Sequence, residues 1–458
     1  MSATPATMLQ VVASGLQDRE RLNTVPGHPS IQHYTFLMRK RTRWASQWRR
    51  VEFDNIADFG RTATCTLPIE GELITRATLV VDLPDISGTP TANTFAWTNA
   101  IGHALCVNTQ FLINGEVVDE IDSRLLEVLD EQSPIEHFTT TNTLIGRNPS
   151  SYSDLEPRPS TVAVTPPFWW NRGPGPHALP IRALYKDQIQ LRVTFRDFAG
   201  SIYTSSRNAD GSMVAWPASV PSITDAYWIV EYVSLEDREA AAYRCDMEIP
   251  FEQHVAVPPQ PTNGNELVRI RLDETGLVRD LTWVAQRVEA TEYNAYFLFT
   301  RDLCAPTDPS GSIWWPNAVG VSETAFNYGR GRIIPAFATA ADPILQAKMT
   351  IRGLMRFEHE AALFRSLLPA LNCARTPLVD RFIYRYDFGY WPTGGLTDAL
   401  DAPVEIRGCA NWDVLPTKEL LLQMNVACAG PASFYIYAWI TRYNRLRIIN
   451  GHGAVLFT

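Results

Sequence analysis

The chain has 458 residues, a length that at roughly 150 residues per domain suggests two or three domains, or two larger β domains. Its 45% hydrophobic and 19% charged residues exclude a disordered chain, and a formal net charge of −9 argues against wholesale wrapping of nucleic acid, which needs a surplus of Lys and Arg. Met1–Thr7 lacks the charged and apolar regions of a secretory signal, and no run of about 18 uncharged apolar residues could span a bilayer.

In chain order, the first feature is Arg39–Arg50 (RKRTRWASQWRR), the densest basic cluster. Trp44 and Trp48 within it permit base stacking, but in an acidic chain it reads better as an early strand with its charges on a solvent or interface side. Thr62–Leu83 reads as strand, turn at Gly71, then a strand with one mainly apolar face. Asp122–Glu131 has helix formers with apolar residues three and four apart. In Ile189–Arg196, Ile189, Leu191, Val193 and Phe195 share one face and the polar residues the other, the two-residue period of a strand. A strong strand at Tyr227–Val233 leads into a helical segment, Leu235–Tyr243, where the domain boundary is placed.

Beyond it, Leu267–Ala285 repeats the strand, turn, strand pattern with Gly276 in the turn, and Val268, Ile270 and Leu272 alternate with charged neighbours. Glu358–Leu368 reads as a helix and Leu420–Val426 as a strand. Three long stretches rich in turn formers, Asn148–Pro167, Ser201–Pro221 and Ala305–Asn317, read as loops. The 32 prolines and 26 glycines are spread among many short runs, as all-β proteins require. Strands with one apolar face must bury it against a second layer, so the expected architecture is a sandwich.

No catalytic constellation emerges. The eight histidines form no HxH or HExxH, and no GxSxG, Walker-type or GxGxxG motif is present. Tyr328–Arg332 is glycine-rich and basic but lacks a following helix to hold a phosphate. Asp119 with Glu120 and Glu358 with Glu360 are carboxylate pairs of the kind chance supplies among 49 acidic residues. The seven cysteines are scattered, with no CxxC, and read as free thiols of a protein made in a reducing compartment. No catalytic, cofactor-binding or metal-binding residue is assigned, and no cofactor is expected.

Several segments, in order, carry a resemblance. Met8–Asp18 (MLQVVASGLQD) and Gly27–Arg43 are followed by Phe53–Leu83, with turns at Asp58-Phe59-Gly60 and Gly71-Glu72-Leu73-Ile74. Ile101–Leu105 and Leu112–Asp119 (LINGEVVD) follow as a hairpin, then Pro167–Trp170, Leu179–Phe195, the linker Leu235–Tyr243 and Leu277–Gln286. Tyr384–Gly395 holds a turn at Pro392-Thr393-Gly394-Gly395, and Phe434–Gly453 closes the series. In this order and spacing the chain resembles the major capsid proteins of nucleocytoplasmic large DNA viruses, the group of iridoviruses and algal phycodnaviruses.

The resemblance implies an all-β chain of two tandem antiparallel eight-stranded jelly rolls with few short helices in loops, divided into an N-terminal arm 1–27, a first roll 28–240 and a second roll 241–458. It implies a structural subunit, not an enzyme, that forms pseudo-hexagonal homotrimeric capsomers of an icosahedral shell. Its expected partners are its own copies, neighbouring capsomers and minor capsid proteins, near an internal viral membrane, without sequence-specific nucleic-acid binding. The virion is its expected place, after synthesis in the host cytoplasm. The arm residues Met8, Leu9, Gln10, Gln17 and Asp18, and the basic residues Arg39, Lys40, Arg41, Arg43, Arg49 and Arg50, are the candidates for inner-face and assembly contacts. The alternatives are a carbohydrate-binding β-sandwich, since unrelated functions share jelly rolls, or a minor capsid component.

Overall fold

The structure, a computed structural model, describes residues 43–87, 95–147, 159–171, 177–205, 214–217, 219–288, 296–297, 299–301, 342–373, 375–377, 381–389, 408–425 and 433–457. All of its sheets lie in Trp44–Thr458. In the first half, strands β1 (Trp44–Glu52), β2 (Thr62–Thr66), β3 (Leu73–Asp82), β4 (Phe95–Trp97), β5 (Cys106–Ile113), β6 (Glu116–Asp122), β7 (Thr161–Val164), β8 (Ile189–Phe195), β9 (Tyr203–Ser205) and β10 (Asp225–Leu235) follow in order. The second half holds β11 (Met247–Pro261), β12 (Leu267–Leu272), β13 (Leu277–Arg287), β14 (Ile344–Ile351), β15 (Leu354–Glu360), β16 (Ile383–Asp387), β17 (Ala410–Asn411), β18 (Lys418–Met424), β19 (Phe434–Ile449) and β20 (His452–Val455).

Two four-stranded antiparallel sheets, β1-β10-β3-β7 and β2-β8-β5-β6, make the sandwich of the first half, and β4 and β9 pair as a third, two-stranded sheet. The second repeats that order as β11-β19-β13-β16 and β12-β18-β14-β15, with β17 added beside β13 and β20 beside β19. Apart from the β5–β6 and β14–β15 hairpins, consecutive strands of the eight in each roll alternate between its two sheets, which is the jelly-roll connectivity. The internal echo seen in the sequence has a structural basis, because Thr62–Leu83 and Leu267–Ala285 hold corresponding strands of the two rolls. Neither is a hairpin: β2 pairs with β8 and β3 with β10, so the Gly71 connection crosses from one sheet to the other.

The alternating runs fold as their period requires. In β8 the four apolar residues are buried while Gln190, Arg192 and Thr194 are half-buried, and β12 buries Val268, Ile270 and Leu272. Ala63, Leu79, Leu191, Val193, Trp228 and Val230 lie in one core, and Ile270, Trp283, Met349, Tyr384, Leu420 and Leu422 in a second. Tight turns close the β5–β6 and β14–β15 hairpins: Asn114-Gly115 has φ of 53° and 83°, and Arg352-Gly353 has φ of 53° and 75°. Two successive positive φ values match the right-handed strand twist, and glycine adopts the second without a Cβ penalty.

Helices sit in the connections. Ser123–Glu131 forms as read from the sequence, with Asp122 accepting the Leu125 N–H as its N-cap. The helical reading of Leu235–Tyr243 shrinks to Asp237–Ala240 and a 3-10 turn, since Leu235 completes β10. Glu358–Glu360, read as helical, extend β15 instead: Lys348 pairs with Glu358 at 3.1 Å and Gln346 bonds the same carboxylate, so cross-strand partners override helix propensity. A π-turn, Leu363–Leu367, and the helix Leu368–Asn372 follow. Ile101–Leu105 is a buried helical turn, leaving β5 and β6 to make the hairpin. Ile135–Ile145 is a helix that periodicity missed. Two presumed loops contain strands, β7 within Asn148–Pro167 and β9 within Ser201–Pro221; Ala305–Asn317, Tyr328–Arg332 and Pro392–Gly395 lie outside the described residues.

The seam between the rolls and the candidate assembly surfaces

Of the candidate contact residues, Met8, Leu9, Gln10, Gln17, Asp18, Arg39, Lys40 and Arg41 lie outside the described residues. Arg43 is exposed just before β1, and Arg49 and Arg50 lie on that strand. As neighbours in a strand they point to opposite faces. Arg49 pairs with Glu70 at 2.8 Å, whereas Arg50 bonds Glu52 and Asp225 and lies 3.7 Å over the Tyr227 ring. They are not one basic patch, and each is answered by a carboxylate. What the outer face of β1 presents instead is Trp44 and Trp48, 56% and 51% exposed at the edge of a sheet.

The sequence did not mark the surface where the two rolls meet. Strand β13 is buried at every position after Leu277, which one sandwich interior cannot do to a strand with two faces. Its second face, with those of β11 and β19, is covered by β6 and the helices after it. Asp122 Oδ2 accepts the Trp439 indole N–H at 2.8 Å, Asp119 accepts the His254 backbone N–H at 2.9 Å, and Gln253 donates to the Val118 carbonyl at 2.8 Å. Arg124 donates to Gln286 and lies over the Tyr437 ring. Trp169 packs on Phe251 with ring centroids 5.5 Å apart, and the first core continues onto Val284, Ile383 and Trp439 of the second roll.

Buried charge concentrates along the same seam. Glu127 lies 2.7 Å from Arg147 and 2.8 Å from His103; burial opposes ionisation, but Arg147 and His103 hold its carboxyl well below the ordinary range. Glu131 pairs with Arg375 and Arg381, and Gln132 accepts from Arg385. Arg385 in turn shares Asp280 with Arg279, and Thr441 donates to the other oxygen of that carboxylate. A buried charge needs a partner, and Asp280 of β13 and Arg385 of β16 find theirs in one another.

These groups are bound to one another rather than disposed around a cleft. His254 faces Asp119 and His452 faces Asp187. Burial pushes the Cys65 and Cys106 thiols up to about 12, far from a reactive thiolate at neutral pH. Among the described residues no three His, Cys, Asp or Glu side chains converge as a metal site, and no helix is long and apolar enough to cross a membrane.

Comparison with known proteins agrees with the fold. Residues 33–236 match the family described as "Major capsid protein N-terminus". The major capsid protein of Phaeocystis pouchetii virus is 22% identical over 536 residues, covering 98% of this chain and 99% of the relative. That of Pyramimonas orientalis virus is 23% identical, over 60% of this chain and 64% of the relative. Among solved structures, the PBCV-1 virus capsid superposes with a TM-score of 0.71 at 17% identity, over 93% of this chain and 100% of that one. The Faustovirus major capsid protein superposes with a TM-score of 0.62 at 11% identity, over 95% and 94%. With residues 33–236 matched to that family, a relative aligned along nearly its whole length and one sheet order present in both halves, the chain is similar to the major capsid proteins of large DNA viruses.

Proposed function

We propose that three copies of the chain assemble into a pseudo-hexagonal capsomer, the building unit of an icosahedral shell, and that the protein catalyses nothing. The observation that carries this reading is the repetition of one sheet order in the two halves. Two similar rolls per chain put six similar walls around a threefold axis, which lets a trimer tile a hexagonal lattice. A closed ring of this kind suits heterologous interfaces, each on the order of 2,000 Å² if obligate.

In this reading the chain divides into an arm 1–27, a first roll 28–240 and a second roll 241–458. It works in the virion, after synthesis in the host cytoplasm, and meets neighbouring capsomers and minor capsid proteins, with an internal viral membrane close by and without sequence-specific nucleic-acid contact. Met8, Leu9, Gln10, Gln17 and Asp18 of the arm, with Arg39, Lys40, Arg41, Arg43, Arg49 and Arg50, supply contacts on the inner face. Light scattering on the purified protein tests the assembly directly. A mass three times the 51.4 kDa chain is expected. A stable monomer that binds glycans would favour the carbohydrate-binding alternative.

A further inference from the structure

Three Asn-Gly pairs occur in the sequence, Asn114-Gly115, Asn263-Gly264 and Asn450-Gly451. Each forms a turn in which both residues have positive φ: 53° and 83°, 50° and 77°, 52° and 87°. In an unfolded chain such a pair is readily modified, because glycine has no side chain to shield its backbone nitrogen from the neighbouring amide. With the same chemistry and similar backbones, only the surroundings distinguish the three.

One loop of the first roll holds two of them. Asn114 Nδ2 donates to Asp187 Oδ1 at 2.6 Å, its Oδ1 accepts the Gln188 backbone N–H at 3.1 Å, and its own backbone N–H donates to the Gln188 carbonyl at 2.9 Å. Asn450-Gly451, at the tip of the β19–β20 hairpin, rests on Tyr185 and Lys186. Gly451 is buried, its carbonyl accepts the Lys186 N–H at 3.2 Å, and a Cβ on it would stand 2.6 Å from the Tyr185 ring. The Asn450 N–H is bound as well, by Asp246 at 2.8 Å. Residues 185–188 thus restrain an Asn-Gly turn from each roll.

Asn263-Gly264, between β11 and β12, is anchored only below its tip, where Thr262 exchanges hydrogen bonds with Phe434 and accepts the Asn265 N–H at 2.9 Å. Asn263 and Gly264 are exposed, and a Cβ on Gly264 would meet nothing within 4 Å. Among the described residues the Asn263 amide makes no hydrogen bond. Its side chain is free to turn toward the next backbone nitrogen, the approach that a held amide is denied.

We propose that Asn263 is a site of spontaneous deamidation, and that the loop 185–188 guards Asn114 and Asn450 against the same reaction. The Gly264 nitrogen, losing its proton to water, forms a bond to Asn263 Cγ; the bond from Cγ to the amide nitrogen breaks, and that nitrogen leaves as ammonia with a proton from water. A second water opens the resulting cyclic imide at either carbonyl, leaving an aspartate or a β-linked aspartate. Either product adds a carboxylate near the exposed Glu266, so the protein becomes more acidic with time.

Peptide mapping by mass spectrometry tests this on protein kept in mildly alkaline buffer, native and in urea. In urea all three pairs are expected to react at similar rates. In the native protein Asn114 and Asn450 are expected to react about tenfold more slowly than Asn263, or slower still, because their contacts must break first. Asn263→Gln is expected to remove the acidic species seen on isoelectric focusing. Asp187→Ala is expected to raise the Asn114 rate toward its value in urea. Tyr185→Ala should do the same for Asn450, and because Tyr185 is 57% exposed this variant keeps the core intact even where Asp187→Ala fails to fold. Equal rates at the three sites in the native protein, or an Asn263 as inert as the other two, would overturn the assignment. Folded variants that leave Asn114 and Asn450 protected would overturn the role of the loop.

Discussion

Asp122 binds across the boundary between the rolls and along its own chain at once: Oδ2 accepts the Trp439 indole N–H at 2.8 Å, and Oδ1 accepts the Leu125 backbone N–H at 2.7 Å. The carboxylate that starts the helix Ser123–Glu131 is therefore also the one that docks it on β19. Asp122→Ala is expected to lose the cap, about 1 kcal/mol, and to orphan a buried indole N–H, about 1–3 kcal/mol more. Trp439→Phe keeps the cap and should cost less in urea unfolding at the same protein concentration. Equal losses would mean that the cap contributes nothing.

The buried group around Asp280 should behave differently from the surface pairs. Asp280→Ala leaves Arg279 and Arg385 in the seam without their shared carboxylate, an expected loss of about 3–5 kcal/mol. Arg269→Ala breaks an exposed pair with Glu419 and should cost about 1 kcal/mol or less. Denaturant midpoints that move by similar amounts would contradict the seam's role in holding the rolls together.

Asp342 gives stability a pH dependence. It is buried beside Tyr384 and Arg365, and burial pushes its carboxyl from 3.8 to about 6. Folding thus favours the protonated form, so this contribution is complete below the ordinary carboxyl pKa and is lost as pH rises through about 6. Asp342→Asn cannot ionise. Its stability relative to wild type should rise by on the order of 2 kcal/mol between about pH 4 and about pH 7. A difference that stays flat across that range would show that Asp342 does not titrate there.

Leu191→Asp combined with Val193→Asp places two unpaired charges at fully buried positions of β8. The expected result is no soluble assembled protein, since burying even one unpaired charge exceeds a domain's usual margin of about 5–15 kcal/mol when doubled with lost packing. Recovery of a normal trimer would contradict the strand's orientation.

Strand faces were legible wherever one side meets the core and the other meets water, as in β8 and β12. Legibility failed where a second layer intervenes. Nothing in the sequence of Leu277–Gln286 says that its outer face is covered by another roll, yet Arg279 and Asp280 are buried there. Ile135–Ile145 was missed because its run of threonines has weak helix propensity and its position is set by packing. Glu358–Glu360 looked helical by composition, yet the neighbouring strand supplies their partners. The basic cluster Arg39–Arg50 was read as a strand, and from Trp44 onward it lies in β1, but its sequence did not reveal the separation of Arg49 and Arg50 onto opposite faces, each with a carboxylate distant in sequence.

Negative-stain imaging of the purified assembly tests the central claim most directly. The account predicts particles of hexagonal outline whose averages keep threefold and not sixfold symmetry, because the two rolls of each chain share a fold but not a sequence. Single compact particles without a hexagonal outline, or rings of any other number of chains, would contradict it.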